Sequence, residues 1–192
     1  MDPMSQILLL LVNTGFSVFI LLVWLRFVLQ LSGADFYNPL SQFVVKATGP
    51  LLHPLRRVVP SLFGLDTAAL FLIFVLKLLQ LGAIATITSQ AASPMLLVVT
   101  AIFTLLLGAA DFFFWIILGM VILSWVAMAS GGLNPALMPL MQIAELVLAP
   151  CRRLLPDMGG FDLSPIIAFL LLKIVEILLG AAYPQVLAAV GG

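Results

Sequence analysis

Four long apolar segments constrain this chain more than any other feature of its sequence. A helix that crosses a bilayer needs about 20 mostly apolar residues, and such segments run over about 6–31, 67–88, 94–128 and 163–186. The 192 residues are 64% hydrophobic and only 8% charged, whereas a soluble domain carries roughly a quarter charged residues. Because so apolar a chain cannot cover itself with polar surface in water, we predict an all-α membrane protein.

Basic residues outside these segments predict the orientation. Lys46, Arg56 and Arg57 follow the first segment, whereas Arg152 and Arg153 follow the third. Lys and Arg are enriched in cytoplasmic loops, so four crossings place both basic loops in the cytoplasm and both termini outside.

The third segment could be one long tilted helix or two short helices, because it is long for a single crossing and contains Asp111. Two crossings would put the two basic loops on opposite sides of the membrane. The charge pattern therefore favours one helix.

The chain also contains two similar halves. At an offset of 96 residues, the seven-residue segment 54–60 aligns with 150–156, and both have the pattern Pro-x-Arg-Arg-x-x-Pro. Chance similarity between apolar helices would match Leu and Val but not paired arginines. We predict two tandem repeats, 1–96 and 97–192, that together form one membrane domain. Each half contains an even number of crossings, so the repeats are parallel.

Each repeat carries a shorter amphipathic segment between its two membrane-spanning helices. Asn38 can cap a helix that starts at Pro39, and we predict that this helix ends at Gly49 and Pro50. Asn134 begins a similar helix that ends near Pro150. The sequence leaves open whether these helices lie at the membrane interface or re-enter the bilayer.

The repeated arginine pairs admit two interpretations. They could bind lipid phosphates or an acidic partner, because arginine grips phosphate with two donors. They could instead serve only as an orientation signal between prolines that end helices. The acidic residues that follow, Asp66 and Asp162, can cap the next membrane-spanning helices.

Two lysines at equivalent positions fall near the middle of the membrane. Lys77 and Lys173 each lie 11 residues beyond the capping aspartate, which corresponds to about 16 Å along a helix. Charged residues at that depth usually face the interior of the bundle, and Glu176 and Asp111 are candidate partners. Such a set could form an ion path or hold a ligand, or it could be a buried network that fixes helix packing. Arg26 is predicted to snorkel to the headgroups.

Chemical motifs are missing from the sequence. It has no catalytic triad pattern, no metal-binding motif and no phosphate-binding glycine loop, and its only cysteine and histidine are Cys151 and His53. We therefore expect a protein that is not an enzyme, that binds no metal or other cofactor, and that does not bind nucleic acid directly.

Residues 35–46, the doubled Pro-x-Arg-Arg-x-x-Pro motif and residues 159–165 resemble the YggT family of small bacterial inner-membrane proteins, which has chloroplast relatives. The resemblance implies links to osmotic-stress tolerance or cell division, and, from the plastid relatives, to haem attachment in cytochrome b assembly. It implies no catalytic residue. The shared lipid-binding or partner-binding surface that it implies comprises Asn38, Pro39, Arg56, Arg57, Arg152, Arg153, Gly159, Gly160 and Asp162.

These observations lead to three expectations of function. The first is a non-enzymatic assembly factor or scaffold whose arginine loops bind anionic lipid headgroups or a protein partner, with a homo-oligomer as the alternative to a separate partner. The second is a small oligomeric channel or transporter whose path passes Lys77, Lys173, Asp111 and Glu176. The third is a haem-handling factor, which is weakened because no histidine lies in the predicted membrane-spanning segments.

Overall fold

A computed structural model describes residues 2–62, 64–90, 93–132, 134–155 and 162–191. Four of its helices are long and apolar enough to cross a membrane, so the prediction of an all-helical membrane protein is confirmed. Two shorter helices, α2 and α5, each lie between two of them in the order α1 (Pro3–Leu31), α2 (Pro39–Leu55), α3 (Thr67–Ile87), α4 (Pro94–Ser130), α5 (Met138–Arg152) and α6 (Ser164–Gly191).

The third apolar segment is one helix. α4 contains 37 residues and continues without a break through Gly108 and Asp111, which confirms the prediction of a single helix. At 1.5 Å per residue its length is about 55 Å, whereas the hydrocarbon core of a bilayer is about 30 Å thick. α4 must therefore tilt strongly or extend beyond the hydrocarbon core.

The first short helix is longer than predicted. α2 continues past Gly49 and Pro50 to Leu55, so the predicted end at these residues is wrong. A proline disfavours helical backbone at the preceding residue partly through a clash with that residue's Cβ, and Gly49 has none. The fully buried Thr48 and Leu52 lie on either side of this point, and they hold the helix against its neighbours.

The second short helix begins in two steps. Asn134 accepts a hydrogen bond from the Ala136 backbone N–H at 2.9 Å, and a 3₁₀ turn over Pro135–Leu137 precedes α5. α5 then passes through Pro150 to Arg152. The predicted cap is confirmed, and the predicted end is two residues short.

Contacts group the residues into two compact units, each drawing on both halves of the sequence. The first unit comprises 1–27, 44–105 and 182–192, and the second comprises 28–43 and 106–181. The division into repeats at residue 96 concerns sequence similarity and stays a prediction.

In the first unit, Arg26 attaches α1 to α2. Only 7% of Arg26 is exposed, and its Nη1 donates to the Val45 carbonyl and to the Thr48 hydroxyl, both at 3.0 Å. The prediction that Arg26 snorkels to the headgroups is wrong, because acceptors on α2 satisfy the guanidinium inside the protein.

In the second unit, α5 packs between α4 and α6. Its buried Ala144, Leu148 and Cys151 form one cluster with Ile117 of α4 and Ala168 of α6. The small side chains Ala144 and Ala168 allow close approach of the helices, as is common in membrane bundles. This cluster fixes the position of α5 and therefore the position of the arginine pair at the end of α5.

Replacing Arg26 with Met should destabilise the protein, because the Val45 carbonyl and the buried Thr48 hydroxyl lose a charged donor. We expect a loss of about 1–3 kcal/mol, or roughly 2–4 °C in melting temperature per kcal/mol, measured by thermal unfolding in detergent. Thr48→Val removes only one of the two acceptors and should cost less. An unchanged melting temperature for Arg26→Met would contradict the assigned role.

Candidate functional site

The first arginine pair follows α2, and its two members have different surroundings. Arg56 Nη2 donates to Asp66 Oδ2 in an ion pair. The Asp66 side chain is only 4% exposed, and its Oδ1 accepts from the Ala69 backbone N–H at 3.3 Å. Asp66 therefore caps α3 as predicted, and the ion pair ties the end of α2 to the start of α3.

A glycine turn brings Asp66 to this position. Gly64 has a φ of +78°, a left-handed conformation that glycine adopts at low cost. The Leu65 N–H bonds to the Leu62 carbonyl at 2.9 Å across the turn. This geometry accounts for a glycine two residues before the capping aspartate.

The second arginine pair repeats the arrangement with one additional carboxylate. Arg152 Nε donates to Asp162 Oδ2 at 2.9 Å, and its Nη1 donates to both oxygens of Glu145 at 2.8 and 2.7 Å. Asp162 also accepts from the Ser164 backbone N–H at 2.9 Å. Arg152 thus connects α5 to the start of α6, as Arg56 connects α2 to α3.

These contacts shift two ionisation equilibria. Hydrogen bonding to Glu145, and less strongly to Asp162, raises the pKa of Arg152 against the opposing effect of burial. Burial pushes the pKa of Asp162 upward, but hydrogen bonds from Ser164 and Arg152 outweigh it and leave that pKa lowered. Both shifts favour the charged pair.

The second arginine of each pair points away from these contacts. Arg57 and Arg153 are exposed, and neither side chain forms an ion pair with another residue in the described parts of the chain. Their guanidinium groups can therefore accept an external anion. Among the described residues, Arg56 and Arg152 form ion pairs within the chain, whereas Arg57 and Arg153 form none.

The two Asn-Pro motifs meet within the second unit. Asn38 caps α2 by accepting from the Leu40 N–H at 2.9 Å, and its Nδ2 donates to the Pro135 carbonyl at 3.1 Å. A groove of about 520 Å³ lies beside this contact, bordered by Asp35, Tyr37, Pro39, Asn134 and Gln142 among others. Asn38 and Pro39 thus have a clear structural role. The other two predicted surface residues, Gly159 and Gly160, lie outside the described residues.

The intramembrane lysines have different partners. Lys77 Nζ donates to Gln80 Oε1 at 3.0 Å, and the buried Gln80 donates from Nε2 to Asn13 Oδ1 at 2.8 Å and Ser17 Oγ at 3.1 Å. Neither predicted carboxylate partner pairs with Lys77 among the described residues. The lysine instead joins a neutral polar cluster between α1 and α3.

Lys173 pairs with Glu176 at 2.5 Å, one of the two predicted partners. However, its side chain is 69% exposed, and Asp111 is exposed as well. The prediction that this lysine faces the interior of the bundle is wrong, because α6 turns it outward.

Four polar residues with structural roles were not predicted. Glu145 lies seven residues before Arg152 on one face of α5, and this helical spacing was a usable signal. Asn13 and Ser17 are four residues apart on α1 and face α3 together. No local signal could reveal that Arg26 turns toward α2.

The described residues offer little for catalysis or metal binding. No group of three or more His, Cys, Asp or Glu side chains in the described ranges is placed to hold a metal ion. Burial raises the pKa of the Cys151 thiol, which disfavours the reactive thiolate. The exposed guanidinium groups of Arg57 and Arg153 are of a chemical type that can bind anions.

Four apolar helices of membrane-spanning length place this chain in the class of polytopic helical membrane proteins. The CCB3/YggT family model matches residues 5–87 and 99–183. The chain belongs to this family.

Relatives from several bacteria support the assignment. The uncharacterised protein PA0392 of Pseudomonas aeruginosa is 46% identical over 165 residues, covering 84% of this chain and 82% of the relative. The uncharacterised protein YggT of Escherichia coli K12 is 39% identical over 181 residues, covering 94% and 91%. A Vibrio alginolyticus protein encoded in the proC 3′ region is 38% identical over 172 residues, covering 88% and 91%. No solved structure matches the chain significantly.

Changing each member of the first arginine pair to Gln should separate their roles. Arg56→Gln leaves the buried Asp66 carboxylate without its ion pair, so we expect a loss of about 1–3 kcal/mol in unfolding free energy. Arg57→Gln, the matched control one residue away, should change stability by less than about 0.5 kcal/mol. Thermal unfolding in detergent measures both, and equal effects would contradict the division of roles.

The contribution of Asp162 should depend on pH. Because its folded-state pKa is lowered below the ordinary value of 3.8, its stabilisation is present above that value and is lost as pH falls through the folded-state pKa. We expect Asp162→Asn to lower the melting temperature near neutral pH, and the difference from wild type to shrink below about pH 4. A difference that stays constant across this range would be inconsistent with an ionised Asp162.

Proposed function

We propose that this chain is a non-enzymatic membrane assembly factor or scaffold of the bacterial inner membrane, in which Arg57 and Arg153 bind anionic groups at the cytoplasmic face. The observation that carries the proposal is the difference in surroundings between the two arginines of each pair. One arginine stabilises the fold through an ion pair, and its neighbour is exposed with no ion pair among the described residues.

The membrane interface supplies ligands for such residues. In the proposed orientation both arginine pairs lie in the cytoplasm, where the leaflet carries anionic lipids. The Arg56 and Arg152 ion pairs hold the backbone at the ends of α2 and α5, so the adjacent Arg57 and Arg153 are presented from anchored positions. Anchoring lowers the entropic cost of binding an anion.

The exposed arginines also suit an acidic surface on a protein partner. A partner held through Arg57 and Arg153 would be attached to the membrane without any reaction at this chain, as a scaffold requires. The proposal includes a role in cell division or in osmotic-stress tolerance, because the attached partner would carry out either role at the membrane.

The central test removes the exposed guanidinium groups together. Each arginine near an anionic leaflet contributes about 1 kcal/mol, so Arg57→Gln with Arg153→Gln should weaken the binding of phosphatidylglycerol or cardiolipin by about 30-fold. Native mass spectrometry of the detergent-purified protein, titrated with each lipid and with phosphatidylethanolamine, measures the change.

Two controls make the result specific. Arg57→Lys with Arg153→Lys keeps the charge and loses the paired donors, so it should retain most of the binding if charge dominates. Purification of tagged protein from its native membrane, followed by protein mass spectrometry, tests for a partner that the Gln variant loses. Unchanged lipid binding together with an unchanged set of co-purifying proteins would overturn the proposal. Solute flux through the purified protein in liposomes would instead favour a small channel.

A further inference from the structure

Two charged side chains of the second unit, Lys173 and Asp111, are exposed on helices of membrane-spanning length. Lys173 lies about 16 Å along the helix from Asp162, which corresponds to mid-membrane depth. Lys173 is 69% exposed and pairs with Glu176 of the same helix at 2.5 Å. Asp111 of α4 is exposed as well. We call Asp111, Lys173 and Glu176 the mid-membrane patch.

The equivalent position in the first unit is satisfied internally. Gln80, which aligns with Glu176 at the offset of 96, is 1% exposed and bonds to Asn13 and Ser17 of α1. The residues that align with Asn13 and Ser17 on α4 are Ala109 and Phe113. α4 therefore offers Glu176 no polar partner at these positions. The Glu176 side chain is 17% exposed and binds Lys173, which is directed outward.

Lipid cannot solvate such a patch. The hydrocarbon core contains no water to hydrogen-bond the charges, and charged residues at this depth face other protein or a water-filled cavity. The Lys173–Glu176 pair reduces the cost, and the Glu176 side chain is only 17% exposed, but the remaining donors of Lys173 and the exposed Asp111 carboxylate face outward. A protein cover in the membrane would satisfy these groups.

We propose that the mid-membrane patch is covered by the same patch of a second copy of this chain. The patch carries both signs of charge, so it can complement itself. A two-fold axis along the membrane normal brings residues of equal depth opposite one another, as an isologous interface requires. Lys173 of each copy then faces Glu176 of the other, and Asp111 supplies a further acceptor. A different partner would need its own matching pair at this depth, whereas a second copy provides one by symmetry.

Charge reversal tests the interface, because a variant that fails to fold cannot restore association when it is mixed with its partner variant. Lys173→Glu alone and Glu176→Lys alone each create like charges, both within a chain and across the symmetric interface. We expect each variant, expressed with two different affinity tags, to lose at least tenfold in the co-purification of one tag with the other. The wild type should pair.

Co-expression of the two variants with different tags is the decisive measurement. In the mixed pair both contacts across the interface regain opposite charges, although each chain keeps like charges within itself. We therefore expect association of the Lys173→Glu chain with the Glu176→Lys chain near the wild-type level. Rescue of this kind also shows that both variants insert and fold.

A second measurement leaves the charges untouched. Ile177, four residues beyond Lys173, is 64% exposed, and Ile177→Cys should form a disulfide between copies in native membranes under mild oxidation. The control is Leu79→Cys on α3, which is 56% exposed and should not crosslink. Wild-type copies that do not associate, a mixed pair no stronger than either variant alone, or equal crosslinking at both cysteines would each overturn the proposal.

Discussion

The exclusion of water from the hydrocarbon core is the constraint on which this structure depends. Backbone donors and acceptors must be satisfied within each crossing segment, which makes the four long apolar segments helical. The same constraint acts on the few polar side chains inside them. Gln80 finds its acceptors on α1, and Arg26 finds its acceptors on α2. These contacts determine which helices pack against each other. Apolar contacts alone specify such pairs weakly in lipid, because no hydrophobic driving force acts between the helices.

Two adjacent arginines have different surroundings at the end of each short helix. The first pairs with an aspartate that also caps the next helix, so one carboxylate satisfies a guanidinium and a backbone N–H. The second remains exposed and can meet an anion. The proposed anion binding therefore concerns the second arginine of each pair, and the interpretation of the motif as an orientation signal stays an alternative.

The two similar halves of the sequence carry different residues at positions whose surroundings differ. Arg152 has Glu145 as a second partner, whereas the residue aligned with Glu145 in the first half is Gly49, which instead allows α2 to pass through Pro50. The polar cluster around Gln80 has no counterpart on α4. Divergence of this kind gives the second unit an outward charged surface and the first unit an internal polar contact.

The sequence by itself determined the helical class, the four spanning segments, the caps at Asn38 and Asp66, and the importance of the arginine pairs. These features depend on local length, composition and spacing. Only the tertiary structure decided which arginine of each pair is engaged and where Arg26 and Lys173 point. The two arginines of a pair are chemically identical, and the aspartates that bind Arg56 and Arg152 lie 10 residues further along the chain. Whether a charged side chain points inward or outward depends on neighbouring helices that are distant in sequence, so no local sequence pattern predicts it.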